Sequence, residues 1–160
     1  MTSIKLPNLT FDTITVFDYS GNKQEYNLRD ELSINEFNLI GDIQNQSANY
    51  VFWSSMYARV KQQVDSKKIE CERVDAYLYK LCRLELIENG TAKPTQSQID
   101  AEVNSREEHF NAYNQLAELQ SVEEQLKYAV RAWEQRKDML VQMKKEETLN
   151  KEYEKAIKNI

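Results

Sequence analysis

Between Gly41 and Gly90 the sequence contains neither glycine nor proline, and after Pro94 neither returns before Ile160. These two residues are the strongest local punctuators of helices and strands, so their absence leaves long stretches in which side-chain periodicity alone decides. The whole chain of 160 residues holds three glycines and two prolines. Hydrophobic residues make up 41% and charged residues 29%, which suits long helices with narrow apolar stripes better than a thick globular core. The length fits one domain.

Apolar or aromatic residues recur at Leu39, Ile43, Tyr50, Trp53, Tyr57, Val60, Val64, Cys71, Val74, Leu78 and Leu81, with Gln46 and Lys67 filling the two gaps. Steps of four and three make a heptad-like seam on one helix face. Ser33-Ile-Asn-Glu36 has the form of a capping box ahead of it. Gly41 weakens the start, so the helix is expected to begin near Asp42. Asn89-Gly90 is a stop, because glycine takes the left-handed cap conformation without steric cost. Thr95 and Gln98 offer a second cap, with a short helix expected over Gln96 to Val103. Ser105-Arg-Glu-Glu108 repeats the capping pattern. The last helix carries the stripe Ala112, Leu116, Leu119, Val122, Leu126, Val130, Trp133, Leu140 and Met143. Lys144 to Ile160 read as a solvated helical tail.

Ahead of the helices, Asp12 to Tyr19 is rich in β-branched and aromatic residues and ends at the turn signal Ser20-Gly21-Asn22-Lys23. Glu25 to Leu28 returns as a second strand, giving a small hairpin. The expected fold is all-α dominated: a long antiparallel helical hairpin or coiled coil with a small N-terminal β-hairpin. Residues 1–32 form the β-hairpin arm, 33–90 the first long helix, and 91–160 a short helix, the second long helix and its polar tail, within one domain. The short connector makes the long helices antiparallel neighbours. Two rods have little volume in which to hide large side chains, so Tyr50, Trp53, Tyr57, Leu78, Leu126 and Trp133 are expected to form a seam for further copies, making a homo-oligomer.

The net charge of −5 makes the whole molecule no magnet for nucleic acid or membrane, so such binding requires a local patch. Met1 to Thr10 contain no apolar signal region, and no run approaches the roughly 18 apolar residues that span a bilayer. A cytoplasmic protein without membrane partners is expected, in the host cytoplasm if phage-encoded, and its three Asn-X-Ser/Thr sequons then carry no meaning. Cys71 and Cys82 on one helix would stand about 16 Å apart along the axis, too far to bridge, and are expected to be buried thiols. His109 has no second histidine or cysteine at ligand spacing, so no metal is expected. There is no glycine-rich phosphate loop or nucleophile elbow, and the carboxylates sit among lysines at helical spacing. No cofactor and no enzymatic activity are expected.

Charge is nevertheless uneven. Arg59 to Arg83 holds seven basic against four acidic residues, and Lys127 to Lys145 six against two. In an antiparallel pair these runs would lie side by side, forming a groove for a phosphate backbone. Tyr50, Trp53 and Tyr57 fall on the seam and are expected in the core. Phe52 lies off it and is the better candidate for a second contact surface.

With helices and charges placed, the stretch from about Tyr50 to Met143 resembles the phage recombination mediator family typified by UvsY. The resemblance lies in Asn49-Tyr-Val-Phe-Trp-Ser-Ser-Met-Tyr57, followed by Lys61, Lys67, Lys68 and Glu70. It continues in Ala76-Tyr-Leu-Tyr-Lys-Leu-Cys-Arg83 and in the closing run from Leu126 through Arg131, Trp133, Arg136 and Lys137 to Leu140. It implies an oligomeric, non-enzymatic protein that binds single-stranded DNA and helps load a RecA-type recombinase onto DNA coated by single-strand binding protein. The DNA contacts it implies are Lys61, Lys67, Lys68, Lys80, Arg83, Arg131, Arg136 and Lys137. The alternative is a structural or partner-binding coiled-coil phage protein, such as a scaffold, chaperone or host-takeover factor, without nucleic-acid binding.

Overall fold

The computed structural model describes residues 12–17 and 20–158. Asp18 and Tyr19 of the expected first strand, the N-terminal Met1 to Thr10 segment and the end of the expected tail lie outside them. The elements run β1 (Thr13–Phe17), β2 (Lys23–Asn27), α1 (Leu28–Leu32), a 3-10 turn (Glu36–Asn38), α2 (Leu39–Glu88), α3 (Gln96–Ser105) and α4 (Glu107–Lys158). The fold is dominated by two long helices, with a small antiparallel sheet at the N-terminal side, as the sequence reading expects.

β1 and β2 pair from Thr13 opposite Asn27 to Phe17 opposite Lys23. Gly21 in the connecting loop has φ +82°, a conformation that favours glycine. Ile14 is buried and faces half-buried Tyr26 across the ladder. Leu28 does not extend β2 as expected. Asn27 instead caps α1, its side-chain oxygen accepting from the Arg29 and Asp30 N–H groups, while the Leu28 N–H donates to the Asp12 carbonyl. An Arg29–Asp12 ion pair of 2.6 Å ties α1 to β1.

Ser33 does not open the long helix. It ends α1, its N–H and hydroxyl both donating to the Asp30 carbonyl. The cap lies two residues later, at Asn35, whose side chain accepts from the Phe37 N–H at 3.0 Å. α2 then starts at Leu39, ahead of Gly41. The Asn38 side chain folds over Gly41 and accepts its N–H at 3.3 Å, filling space a Cβ would need. At the far end Gly90 has φ +99°, and the Thr91 N–H reaches the Leu86 carbonyl while the Gly90 N–H reaches that of Ile87. These paired bonds close the helix through a left-handed cap residue.

Thr95 and Gln98 form the expected capping box for α3. Ser105, by contrast, is the last residue of α3, its hydroxyl bonded to the Glu102 carbonyl. The break falls at Arg106, where an extended backbone separates α3 from α4.

The chain forms two compact units, residues 1–51 with 129–160, and residues 52–128. In the second unit α2 and α4 run antiparallel, joined by Val64, Cys71, Ala112 and Leu116. Next to them Leu78 and Cys82 of α2 pack on Ile99 and Val103 of α3. Both cysteines are free and buried. In the first unit Leu39, Gln46, Ala129, Trp133, Arg136 and Leu140 are buried where the ends of the two long helices pair. The buried positions of α2 are Leu39, Gln46, Trp53, Val64, Cys71, Leu78 and Cys82. One step of eleven residues separates two runs of sevens. A helix of 3.6 residues per turn drifts about 20° per heptad, and the eleven-residue step restores its facing.

Candidate functional site

Arg136 departs most from its expected role. It is 5% exposed, buried in the first unit. Its Nη2 stands 3.1 Å from Asp42 Oδ1 and donates to the Ser33 carbonyl at 3.0 Å. Nη1 donates to Gln46 Oε1 at 2.7 Å and Nε to the Leu32 carbonyl at 3.2 Å. The guanidinium lies 5.0 Å from the Trp133 ring centroid. Gln46 completes the layer by donating from Nε2 to the Trp133 carbonyl at 2.7 Å. A buried charge requires such partners, and the planar fork of arginine matches them as a lysine would not. Arg136 is thus a structural cation with no free face for a phosphate.

The remaining expected DNA contacts divide by environment. Lys67 fills a seam position of the second unit, its side chain only 12% exposed. It donates to Gln115 Oε1 on α4 at 2.6 Å and pairs with Glu70 at 2.9 Å. Beside it lies a concavity of about 460 Å³, lined by Gln115, Glu118, Leu119 and Val122. Lys68, one residue on, turns away and pairs along its own helix with Asp65 at 3.5 Å. Adjacent helical residues project about 100° apart, so these two lysines do not share one surface. Lys137 pairs with Asp138 at 3.3 Å. Lys61, Lys80, Arg83 and Arg131 are exposed, and among the described residues none has a carboxylate partner.

The expected oligomer seam is spent inside the chain. Trp53, Leu78, Leu126 and Trp133 are at most 1% exposed in a single copy, leaving no surface for another. Tyr50 and Tyr57 are half-buried, and the Tyr50 hydroxyl donates to Glu134 Oε1 at 3.0 Å. Phe52 is 43% exposed and packs edge-on against Trp53.

A further row of side chains matters that the seam periodicity hid. On the outward face of α2 in the second unit, Ile69, Arg73, Tyr77, Lys80, Leu84 and Ile87 follow at steps of four and three, all exposed. Apolar and cationic residues alternate from Ile69 to Leu84, with Tyr77 between Arg73 and Lys80. The signal was legible in the sequence as a second three-four pattern, masked by the stronger inward one.

Across the helix pair, Asp75 of α2 holds two groups of α4. His109 Nδ1 lies 2.9 Å from Oδ1, and the Tyr113 hydroxyl donates to Oδ2 at 2.6 Å. That bond, then burial, pushes the Tyr113 pKa up to about 12. Among the described residues no three histidine, cysteine or acidic side chains are grouped to hold a metal ion, and no helix is long and apolar enough to cross a membrane. No protein-family model, curated protein or solved structure matches the chain.

Proposed function

We propose that the chain is a non-enzymatic, oligomeric single-stranded DNA-binding protein of the recombination mediator type, which helps load a RecA-type recombinase onto DNA coated by single-strand binding protein. The observation that carries the DNA part is the row Arg73, Tyr77, Lys80 on the outward face of α2, with Arg83 close by. Single-strand binders pair cations that follow the backbone with aromatic faces on which bases stack, each stack being worth about 1–3 kcal/mol. Tyr77 is 65% exposed, and its neighbours Arg73 and Lys80 carry no carboxylate partner among the described residues. Lys61 and Arg131 add exposed charge elsewhere on the helices. The recombinase and single-strand binding protein enter through the family resemblance. The test is binding of a fluorescent oligonucleotide over a salt series. Salt-sensitive binding that weakens in Tyr77→Ala and in Lys80→Ala supports the reading, and no binding at low salt overturns it.

A second reading draws on the same row. Ile69, Tyr77, Leu84 and Ile87 are large, exposed and spaced like a helix-pairing stripe. A structural or partner-binding coiled-coil protein would use them against another helix. In that case Leu84→Glu abolishes partner capture while the oligonucleotide is ignored by every variant.

A further inference from the structure

From Ile43 to Ala58 helix α2 runs for sixteen residues without a charge, in a chain of which 29% is charged. No other uncharged run in α2 or α4 is as long. The stretch is neutral all round, not only where it meets α4, and it mixes uncharged polar side chains with large apolar ones.

In the first unit the uncovered side is a defined row. Ile40, Gln44, Ser47 and Val51 follow at steps of four, three and four, on the side away from buried Leu39 and Gln46. Ile40 and Val51 are each 60% exposed, and Phe37, one turn earlier, is fully exposed. Scattered surface apolars are ordinary, but here three large ones, Phe37, Ile40 and Val51, stand along one uncharged row. Phe37 is also held firmly in place. Its N–H is bound by Asn35, the Asn35 N–H donates to Asp42 Oδ2 at 2.7 Å, and the other oxygen of Asp42 is paired with buried Arg136. The backbone that carries the ring is thereby rooted in the core, which lowers part of the ordering cost of binding through it.

We propose that this face pairs with the same face of a second copy of the chain, antiparallel about a two-fold axis at Gln44. It deepens the assembly part of the function proposed above and is independent of the DNA row. The choice of partner follows from charge. A polyanion gains nothing from a neutral surface, and a charged helix laid on it would strand its own ions without partners. An identical face strands none. In the antiparallel arrangement Phe37 of one copy reaches the level of Val51 of the other, where Ser47 and Ala48 leave room for a ring. The two Gln44 amides meet at the axis, where a paired polar side chain fixes register. Four helical turns of such contact reach the order of the 1,000 Å² that a specific pairing requires.

The test is solution mass by light scattering at several concentrations, with helicity from circular dichroism. The wild-type chain is expected at twice 18.9 kDa or a multiple of that pair. Ile40→Glu/Val51→Glu, which crowds four carboxylates into the paired face, is expected to halve the mass with helicity unchanged. Gln44→Cys is expected to form a covalent dimer on mild oxidation, since the two native thiols are buried. A wild-type chain of monomer mass, a helical double variant of unchanged mass, or a Gln44→Cys variant that does not cross-link would each overturn the proposal. Should the double variant unfold, the cross-link alone decides. Oligonucleotide binding measured on the same samples separates the two readings: salt-sensitive binding without this dimer leaves the DNA reading standing, and the dimer without binding does the reverse.

Discussion

Arg136 Nη1 and Gln46 Oε1 meet at 2.7 Å from positions ninety residues apart in the chain. Both side chains are buried, at 5% and 7% exposure, and the Gln46 amide is used at both ends, accepting from Arg136 and donating to the Trp133 carbonyl. Removing the guanidinium leaves Asp42, Gln46 and two carbonyls without their donor. Breaking one side of a buried pair costs about 3–5 kcal/mol, so Arg136→Ala should lower the urea midpoint strongly without changing the denaturant slope. Arg136→Lys should recover only part, because an ammonium cannot reproduce the fork. A loss below about 1 kcal/mol would place Arg136 among surface residues.

The inward and outward faces of α2 should answer differently to the same change. Leu78 is buried against Cys82, Ile99 and Val103, and Leu78→Ala should cost about 2–5 kcal/mol through lost contacts and a cavity. Leu84 lies six residues on and is 59% exposed. Leu84→Ala should change stability by no more than about 0.5 kcal/mol. Chemical unfolding of the two variants side by side makes the comparison.

Tyr113 should ionise late. Its pKa is pushed up to about 12, first by its hydrogen bond to Asp75 and then by burial. Because the folded value lies above the unfolded value near 10, the phenol contributes stability that is fully present below pH 10. That contribution is lost as pH climbs through the folded value. Absorbance titration at alkaline pH should show this late step, and Tyr113→Phe should remove it. A single tyrosine transition near pH 10 in the wild type would contradict the assignment.

If the outward row of α2 binds single-stranded DNA, each cation removed should reduce the salt slope. For single strands the slope falls by about 0.7 per phosphate contact, so Arg73→Ala and Lys80→Ala should each flatten it by that amount. Tyr77→Ala should weaken binding by about 1–3 kcal/mol with the slope unchanged. Lys67→Ala should leave the slope unaltered, since Nζ is held by Gln115 and Glu70.

Cys71 and Cys82 should resist alkylation in the native chain. Both are at most 1% exposed, and burial pushes the Cys71 thiol pKa up, keeping it in the unreactive protonated form. Labelling followed by mass spectrometry should show two unmodified thiols that react once urea unfolds the chain.

Much of the fold is legible in the residues because local chemistry and packing agree there. The three-four seam of α2, the stop at Gly90 and the Thr95–Gln98 cap each depend on a few neighbouring side chains. The failures occur where two short-range solutions compete. Ser33 has the spacing of a helix opener, but Asn35 wins because its side-chain oxygen accepts from the N–H two residues on, at the start of the 3-10 turn, and its own N–H finds Asp42. Ser105 loses in the same way, since α3 keeps its hydroxyl bonded to the Glu102 carbonyl. α1 escapes notice because five residues are too few for periodicity to register. The candidate site was harder still. A count of positive charge along the chain treats Arg136, Lys67 and Lys80 alike, yet one is buried, one is tied to Gln115 and one is open. Which of these a cation becomes depends on the residues it meets across the helix pair, and those lie far away in sequence.

The Arg136 layer has a mechanical corollary. Apolar stripes repeat, and two long helices pressed together along a repeating stripe can slip by a turn at small cost. Here one level contains a guanidinium, a carboxylate and an amide that answer one another, with carbonyls from the preceding segment closing the remaining sides. Displacing either rod by a turn would drag an ion into grease and abandon its counter-ion. That level acts as a detent, holding a zipper built from interchangeable teeth in one register.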